Sequence, residues 1–404
     1  MKNRKVKVVI LVLILILLVL VLVVNFDSII RVKRKSDMKI AVVFSESLSE
    51  SLLHAHSESI NALMESQKID PSKIVIKDNL NEKNCFKTIE ETVAEGCNLI
   101  FGVGKDIEDF IVQSATENSD IQYCFAEGQQ ASIMPLSNLH SFSLVESEAK
   151  YLAGIVSGVK IKDLLDNGEI SIEEAVLGYV GTNENSENIS SYTAFYLGAK
   201  SIVPDIKMKV KFINSECDIE SEQKTARALI ANGCCLLAQH SDSNSIAEIC
   251  EQNAIYYICN KEQTKEKSNY SLVDTAEDWS SCYSYAVDCI INGEELPTSW
   301  SKGIDTSSVG ISDINKNAFV FEKNINQAND TINESNEKIK AKTLHIFDIK
   351  NWKVNGETIA STLTDEFKGA YGGKEFIAEG RFMEYELTSM PKFAFKIDGI
   401  EILE

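Results

Sequence analysis

The sequence predicts a parallel α/β protein built as two lobes with a cleft between them. Short apolar runs typical of buried strands alternate with longer segments whose apolar residues recur at helical spacing. Such alternation is typical of a doubly wound parallel sheet with right-handed crossovers. One series of strands and helices precedes residue 138, and a second series of similar size follows it. Two successive series imply two lobes, and proteins of this kind bind small ligands in the cleft and close around them.

The individual elements follow from apolar patterning. Strands are predicted at 39–44, 73–77, 98–103, 121–126, 176–180, 207–213, 233–242 and 256–259. Helices are predicted up to residue 67 and at 81–95, 107–115, 146–158, 190–200, 221–231, 245–252 and 278–291. A polar insertion is expected at 162–174, a solvated helix or a flexible segment at 325–340, and a short strand at 344–347.

The N-terminus carries an uninterrupted aliphatic run from residue 8 to residue 24. A helix needs about 20 such residues to cross a bilayer, and Val6 and Phe26 extend the run. Neither a small-residue cleavage site nor a nearby cysteine for lipid attachment follows it, so we expect an uncleaved signal anchor at 8–26. A basic segment (1–7) would precede it and a linker (27–37) would follow. The remainder is expected on the extracytoplasmic face as a single-pass membrane protein, although four basic residues on each side leave the positive-inside rule undecided.

Composition argues against several classes of function. The formal net charge of −20 disfavours binding to nucleic acid, because an acidic surface repels phosphate. The ten cysteines form no CxxC pair, and no phosphate-binding loop, HExxH or GxSxG motif occurs. His54 and His56 would point about 200° apart on a helix, so a shared metal ion is not expected there. We therefore expect neither catalysis nor a cofactor nor a metal site.

The strand predicted at 233–242 ends in two polar side chains, His240 and Asp242. Parallel sheets present ligand-binding groups at the carboxyl ends of their strands, so both residues are candidate ligand contacts. The alternative is structural, because Asp242 is also an ordinary residue type for capping the following helix. Lys105, Glu127 and Asn260 also come directly after predicted strands, and they are further candidate ligand contacts.

Several motifs resemble one family when they are taken together and in order. They are NLHSFSLVESEAKYLAGIVSG at 138–158, FYLGAKSIVPD at 195–205 and QHSDS at 239–243. In this order and spacing the chain resembles the basic membrane protein (PnrA-like) family of ABC transporter substrate-binding proteins, over about residues 38–400. The resemblance implies a type I periplasmic-binding-protein fold, a purine nucleoside or nucleobase as ligand, and an ABC permease as partner. It also implies that His240 and Asp242 contact the ligand.

The resemblance also suggests how the chain is divided between the lobes. Lobe 1 is expected at 38–144, with about 274–302 returning to it. Lobe 2 is expected at 145–273, with about 303–404 packing across the lobes.

The chain departs from the family where aromatic side chains would stack on a base. Its first loop, SESLSESLLHAH, has no Trp, Tyr or Phe, and His54 is the nearest flat side chain. Glu216 and Glu277 occupy positions where relatives carry Trp. These changes favour an altered, cationic ligand or a degenerate pocket. The alternative function is therefore a membrane-tethered ligand sensor with the same fold.

Overall fold

The computed structural model describes residues 28–215, 218–241, 243–260 and 268–404. The predicted signal anchor at 8–26 lies outside these residues. Within the described ranges, no helix combines the length and the apolar character that a membrane span requires. The predicted linker is helical from residue 28 to residue 37.

The strands form two large sheets and a small hairpin. They are β1 (Ile40–Ser45), β2 (Ile74–Leu80), β3 (Leu99–Val103), β4 (Gln122–Ala126), β5 (Leu139–Leu144), β6 (Val176–Gly181), β7 (Lys207–Phe212), β8 (Leu236–Gln239), β9 (Tyr256–Cys259), β10 (Ser271–Glu277), β11 (Ser299–Lys302), β12 (Val309–Ile311), β13 (Ile377–Ala378), β14 (Arg381–Phe382) and β15 (Ile400–Ile402).

Ten α-helices pack around these sheets in the described part of the chain. They are α1 (28–37), α2 (Glu50–Gln67), α3 (Cys85–Ala94), α4 (Glu108–Glu117), α5 (Glu146–Asn167), α6 (Ser186–Ile202), α7 (Ile219–Ala231), α8 (Ser245–Gln252), α9 (Ser280–Asn292) and α10 (Glu322–Lys340).

The first sheet is parallel throughout, in the order β11-β5-β4-β3-β1-β2. Alternate residues of its strands are buried on opposite faces, as doubly wound sheets require. In β1, for example, Ile40 and Val42 pack in the same core cluster as residues of α2 and α9. Ala41 and Val43 pack in a second cluster with residues of α3 and α4. The predicted parallel α/β class is therefore confirmed.

The second sheet has the order β12-β10-β9-β8-β6-β7-β15, and only the β10–β12 pair is antiparallel. The chain passes between the two sheets three times, after β5, after β10 and after β11. The carboxyl ends of the strands thus face a common cleft from both sides. This topology positions the candidate site.

Helices α5 and α6 cross so closely that only glycine fits at the contact. A Cβ atom on Gly154 would lie 2.0 Å from the carbonyl oxygen of Phe195. A Cβ atom on Gly198 would lie 2.1 Å from the carbonyl oxygen of Tyr151. Both glycines belong to the motifs that carry the family resemblance, so the motifs record a backbone-to-backbone contact of the helices.

Before residue 349, four strands were not predicted from the sequence, and two predicted segments were wrong. The missed strands are β5, β10, β11 and β12, whose polar or very short sequences obscure the strand pattern. The expected polar insertion at 162–174 is wrong in its first part, because α5 continues to Asn167. No strand forms at 344–347, where the backbone is irregular. Of the two alternatives for 325–340, a solvated helix or a flexible segment, the structure shows the helix. Ile325, Ile332 and Ile339 are buried on one face of α10.

The last segment, residues 349–404, packs against the second sheet. Its aromatic rings form a cluster of close pairs, for example Trp352 with Phe395 at 5.2 Å between ring centroids. β15 then extends the sheet beside β7. Glu384 is buried in this segment, and its Oε1 accepts backbone N–H bonds from Lys392 (3.0 Å) and Phe393 (3.2 Å).

Glu384 is expected to make stability depend on pH. Burial raises the pKa of its carboxyl to about 8, although the two backbone N–H bonds oppose the shift. Folding raises the pKa of Glu384, so the contribution of this carboxyl to the free energy of unfolding is fully present below its pKa in the unfolded chain. That contribution is lost as pH rises through about 8. Glu384→Gln cannot ionise, so its melting temperature should rise relative to the parent between pH 5 and pH 8.5. The difference should correspond to a few kcal/mol at most.

Other titratable groups surround Glu384, namely Tyr371, Tyr385, Glu386 and Lys392. These groups are present in both the parent and the variant, so their contributions to the pH dependence of stability largely cancel when the two proteins are compared. Glu366→Gln is the control and should give a pH-independent difference, because Glu366 is an exposed carboxyl of the same segment and, unlike Glu386, is not among the groups that shift the pKa of Glu384. A constant difference between the parent and Glu384→Gln across the same range would contradict the prediction.

Candidate functional site

A cleft of about 1090 Å³ separates the two sheets. Strand ends and helix starts from both sides line it, as expected for an α/β protein of this topology. Its ionisable and aromatic lining residues in the described part of the chain are Glu50, His54, His56, Lys105, Asp106, Glu127, Glu146, Glu187, His240, Glu277 and Trp279.

The residues predicted from the sequence converge on this cleft wherever the structure describes them. The described residues from that prediction are His54, Lys105, Glu127, His240, Asn260 and Glu277, and all of them line the cleft. Asp242 and Glu216 lie outside the described residues, so their positions remain predictions. The role of each residue in binding likewise stays a prediction.

An ion pair bridges the cleft from one sheet to the other. Lys105, which follows β3, places its Nζ 2.8 Å from Oε2 of Glu187 in the first turn of α6. Nε2 of His240, just after β8, lies 3.5 Å from Oε1 of the same carboxylate. Burial alone would raise the pKa of Glu187, but the hydrogen bond with His240 and the charge of Lys105 outweigh it and lower the pKa. Glu187 is therefore a carboxylate, able to accept hydrogen bonds from a ligand.

Glu146 also lines the cleft, and it can offer a hydrogen-bond donor where Glu187 offers an acceptor. Burial raises the pKa of this carboxyl well above its usual range, and the nearby Glu277, Glu127 and Glu187 raise it further. The protonated form is favoured because several carboxyl groups share one region of low dielectric. A protonated Glu146 can donate a hydrogen bond. The cleft thus offers an acidic donor and a carboxylate acceptor close together.

Two flat side chains form the floor of the cleft. The ring centroids of His56 and Trp279 are 4.4 Å apart, with the planes inclined at 32°. Nδ1 of His56 lies 2.8 Å from the hydroxyl oxygen of Tyr283, which fixes the imidazole. Trp279 is 1% exposed, and its indole N–H has no hydrogen-bond acceptor among the residues described. Because both rings are about 1% exposed, the floor is a packed support beneath the cleft, and the polar side chains above it are the groups that a ligand can reach.

The two histidines of α2 have different environments. His54 is exposed at the rim, whereas His56 is buried against Trp279. The sequence had identified His54 as the nearest flat side chain, but the structure places His56 on the floor. Within the ranges 28–215, 218–241, 243–260 and 268–404, no cluster of His, Cys, Asp or Glu has the arrangement of a metal site.

Asn260 holds the strand ends together. Its Oδ1 accepts hydrogen bonds from Lys150 Nζ (2.6 Å) and Thr275 Oγ1 (3.1 Å). Its Nδ2 donates to the carbonyl oxygen of His240 at 2.8 Å. Lys150 Nζ also donates to the carbonyl oxygen of Gln239 at 3.2 Å. These contacts position His240, so Asn260 contributes to the site through the backbone that it fixes.

Sequence reasoning missed Glu146, Glu187, His56 and Trp279 as site residues. Glu187 could have been found by the strand-end rule, because it lies a few residues after β6. Glu146 belongs to the motif at 138–158 that carries the family resemblance, and Trp279 lies at the start of the helix predicted at 278–291. For His56 the sequence gives no signal beyond its helical phase, which does not say which side of α2 is buried.

A family model described as "ABC transporter substrate-binding protein PnrA-like" matches residues 38–348. A purine-binding protein of Brucella abortus is 23% identical over 51% of this chain and 55% of its own length. The nucleoside-binding protein BmpA of Lactococcus lactis is 22% identical over 34% of this chain and 36% of its own length. The chain thus spans about half or less of these relatives. A solute-binding protein of Conexibacter woesei has the same fold, with a TM-score of 0.58 at 16% identity over 76% of this chain and 98% of its own.

The family match, together with the two-lobed fold, identifies a substrate-binding protein of the type I periplasmic-binding-like class. Within this class the chain belongs to the Bmp (PnrA-like) family, whose model covers most of its length. The predicted resemblance is therefore confirmed.

Proposed function

We propose that the protein binds a purine nucleoside-like small molecule in the cleft and delivers it to an ABC permease, with no catalysis of its own. The observation that carries this proposal is the pair of carboxyl groups of Glu146 and Glu187 in a cleft supported from below by the packed rings of His56 and Trp279. Such polar groups can orient a base that the two lobes enclose. The purine-binding and nucleoside-binding relatives support the same ligand class.

Each polar group matches a part of such a ligand. Carboxylate Glu187 accepts hydrogen bonds from ribose hydroxyls, and the protonated Glu146 donates to a ring nitrogen. Because Glu127, Glu146, Glu187 and Glu277 all line the cleft, we propose that the ligand also carries amino groups or a positive charge on the base. An amino-substituted purine satisfies both requirements.

The protein is also proposed to be tethered to the cell membrane by the aliphatic segment at 8–26, with the cleft on the extracytoplasmic face. The segment is just long enough for one span. A membrane-tethered sensor with the same cleft is the alternative function, and it differs in having no permease partner. Copurification of the full chain with a permease, in the presence of ligand, would favour transport, whereas binding of ligand without any permease would favour the sensor.

Thermal denaturation of the purified full chain tests the ligand class. A ligand that binds only the folded state stabilises it by about 2.7 kcal/mol at 100 times its dissociation constant. We expect adenosine and guanosine to raise the melting temperature in a concentration-dependent manner, with ribose alone as the matched negative control. If spermidine or choline stabilised the protein and nucleosides did not, the ligand would be a simple organic cation rather than a nucleoside. The absence of any shift would contradict the proposal.

A further inference from the structure

Residues 384–391, here called the strap, lie in the segment that follows the part of the chain matched by the family model. On one side the strap is anchored to the second sheet. Ser186 Oγ, at the start of α6, donates a hydrogen bond to the carbonyl oxygen of Pro391 at 3.0 Å. β15 then joins β7 through backbone hydrogen bonds.

On its other side the strap contacts the first sheet through serine hydroxyls. Ser389 Oγ lies 2.7 Å from Ser141 Oγ of β5, and Ser143 Oγ donates to the carbonyl oxygen of Ser389. All three serines are buried. Ser141 and Ser143 are two residues apart, so their side chains point to the same face of β5. The contact with the strap explains why β5 carries polar residues and was not recognised as a strand from its sequence.

The strap also passes close to the cleft, because Ser186, which binds Pro391, directly precedes the cleft residue Glu187. Burial raises the pKa of Tyr385 well above its usual range, and the carboxyls of Glu384 and of Glu146 in the cleft add to the shift. Lys105 and Glu187 join the same two sheets directly across the cleft. In the described part of the chain, an ion pair and the strap therefore connect the two lobes in addition to the chain crossings.

The two ends of the strap differ in kind. Its attachment to the second lobe includes the hydrogen bond from Ser186 and the β-strand that follows, whereas its contact with β5 includes the hydrogen bonds of Ser389. We propose that the strap is a latch: it stays with the second lobe, and its serine contacts with β5 separate when the cleft opens. The latch holds the lobes closed whichever ligand the cleft takes, so the proposal stands apart from the proposed function.

A reversible cross-link tests the latch. The serine pair suits conversion to a disulfide, because Cβ atoms about 3.5–4.5 Å apart can be bridged. In the full chain carrying Ser141→Cys and Ser389→Cys, spin labels on non-natural side chains at Ile133 in the first lobe and Ile219 in the second would report the distance between lobes. Both positions are exposed. We expect the oxidised protein to show a single short distance and the reduced protein to regain a longer one.

The parent chain, oxidised and reduced, controls for its own cysteines. Ser389→Ala is expected to shift the distances toward the open arrangement, whereas Ser66→Ala should not, because Ser66 Oγ donates within α2. Circular dichroism verifies that each variant is folded. Identical distance distributions in the cross-linked and reduced protein would overturn the proposal, and so would failure of the folded cysteine pair to oxidise. Because none of these measurements requires a ligand, they remain informative even if no nucleoside binds.

Discussion

Replacing Trp279 with alanine is expected to lower the free energy of unfolding by about 3–5 kcal/mol, the usual cost of removing a large buried aromatic side chain. Trp279 is 1% exposed and packs against His56 and Phe142, with ring centroids 4.4 Å and 6.0 Å away. Its loss leaves a cavity directly beneath the cleft. Because His56 would lose its support, ligand binding should also be lost. Denaturation by urea gives the free energy of unfolding, and titration with ligand gives the affinity.

Trp279→Phe is the matched variant for this prediction. It keeps an aromatic ring against His56 and should lose clearly less stability than Trp279→Ala, with measurable binding. A loss below about 1 kcal/mol in Trp279→Ala would mean that the floor is not a packed element, since such a value is typical of exposed positions. If the parent and Trp279→Ala bound the ligand with equal affinity, the floor would not contribute to ligand binding.

Glu187→Gln is expected to weaken ligand binding at least tenfold, which corresponds to about 1.4 kcal/mol. The variant keeps the shape of the side chain but removes the charge that holds Lys105 and His240 together across the cleft. It should also lower stability near neutral pH. Folding lowers the pKa of Glu187, so its contribution is present above the unfolded value and is lost as pH falls through the folded value. The parent and variant should therefore converge in stability under strongly acidic conditions.

Glu184→Gln is the control for Glu187→Gln. Glu184 precedes α6 and pairs with the largely exposed Lys396, and it is not among the residues that line the cleft. Its replacement should leave the affinity unchanged. His240→Ala should resemble Glu187→Gln in weakening ligand binding at least tenfold, because it removes the other partner of the same carboxylate. If both cleft variants kept the parental affinity, these residues would be structural contacts between the lobes.

Much of the fold was predictable because strands and helices of this chain differ clearly in their apolar patterning. Helix α8 and strand β9 have the predicted bounds, 245–252 and 256–259. β5 was missed because Ser141 and Ser143 are buried against the strap, a contact with a residue almost 250 positions away. A polar strand face that is covered by a distant segment cannot be identified from local periodicity.

The location of the site was predictable to a similar degree. The strand-end rule brought His240, Lys105 and Glu127 to one cleft, because parallel strands direct their carboxyl ends to the same edge. It could not show that Glu187 joins Lys105 to His240, since that contact depends on how the two lobes approach each other. Nor could it show that Asn260 is engaged by Lys150, because the partner lies on a helix from another part of the sequence.

Isothermal titration of the purified full chain with a purine nucleoside tests whether the cleft binds this class of ligand. We expect saturable binding at one site, weakened at least tenfold in Glu187→Gln and unchanged in Glu184→Gln. An absence of saturable heat with any purine nucleoside, in protein that unfolds cooperatively, would contradict the proposed ligand. Binding that is the same in the parent and in Glu187→Gln would contradict the proposed site.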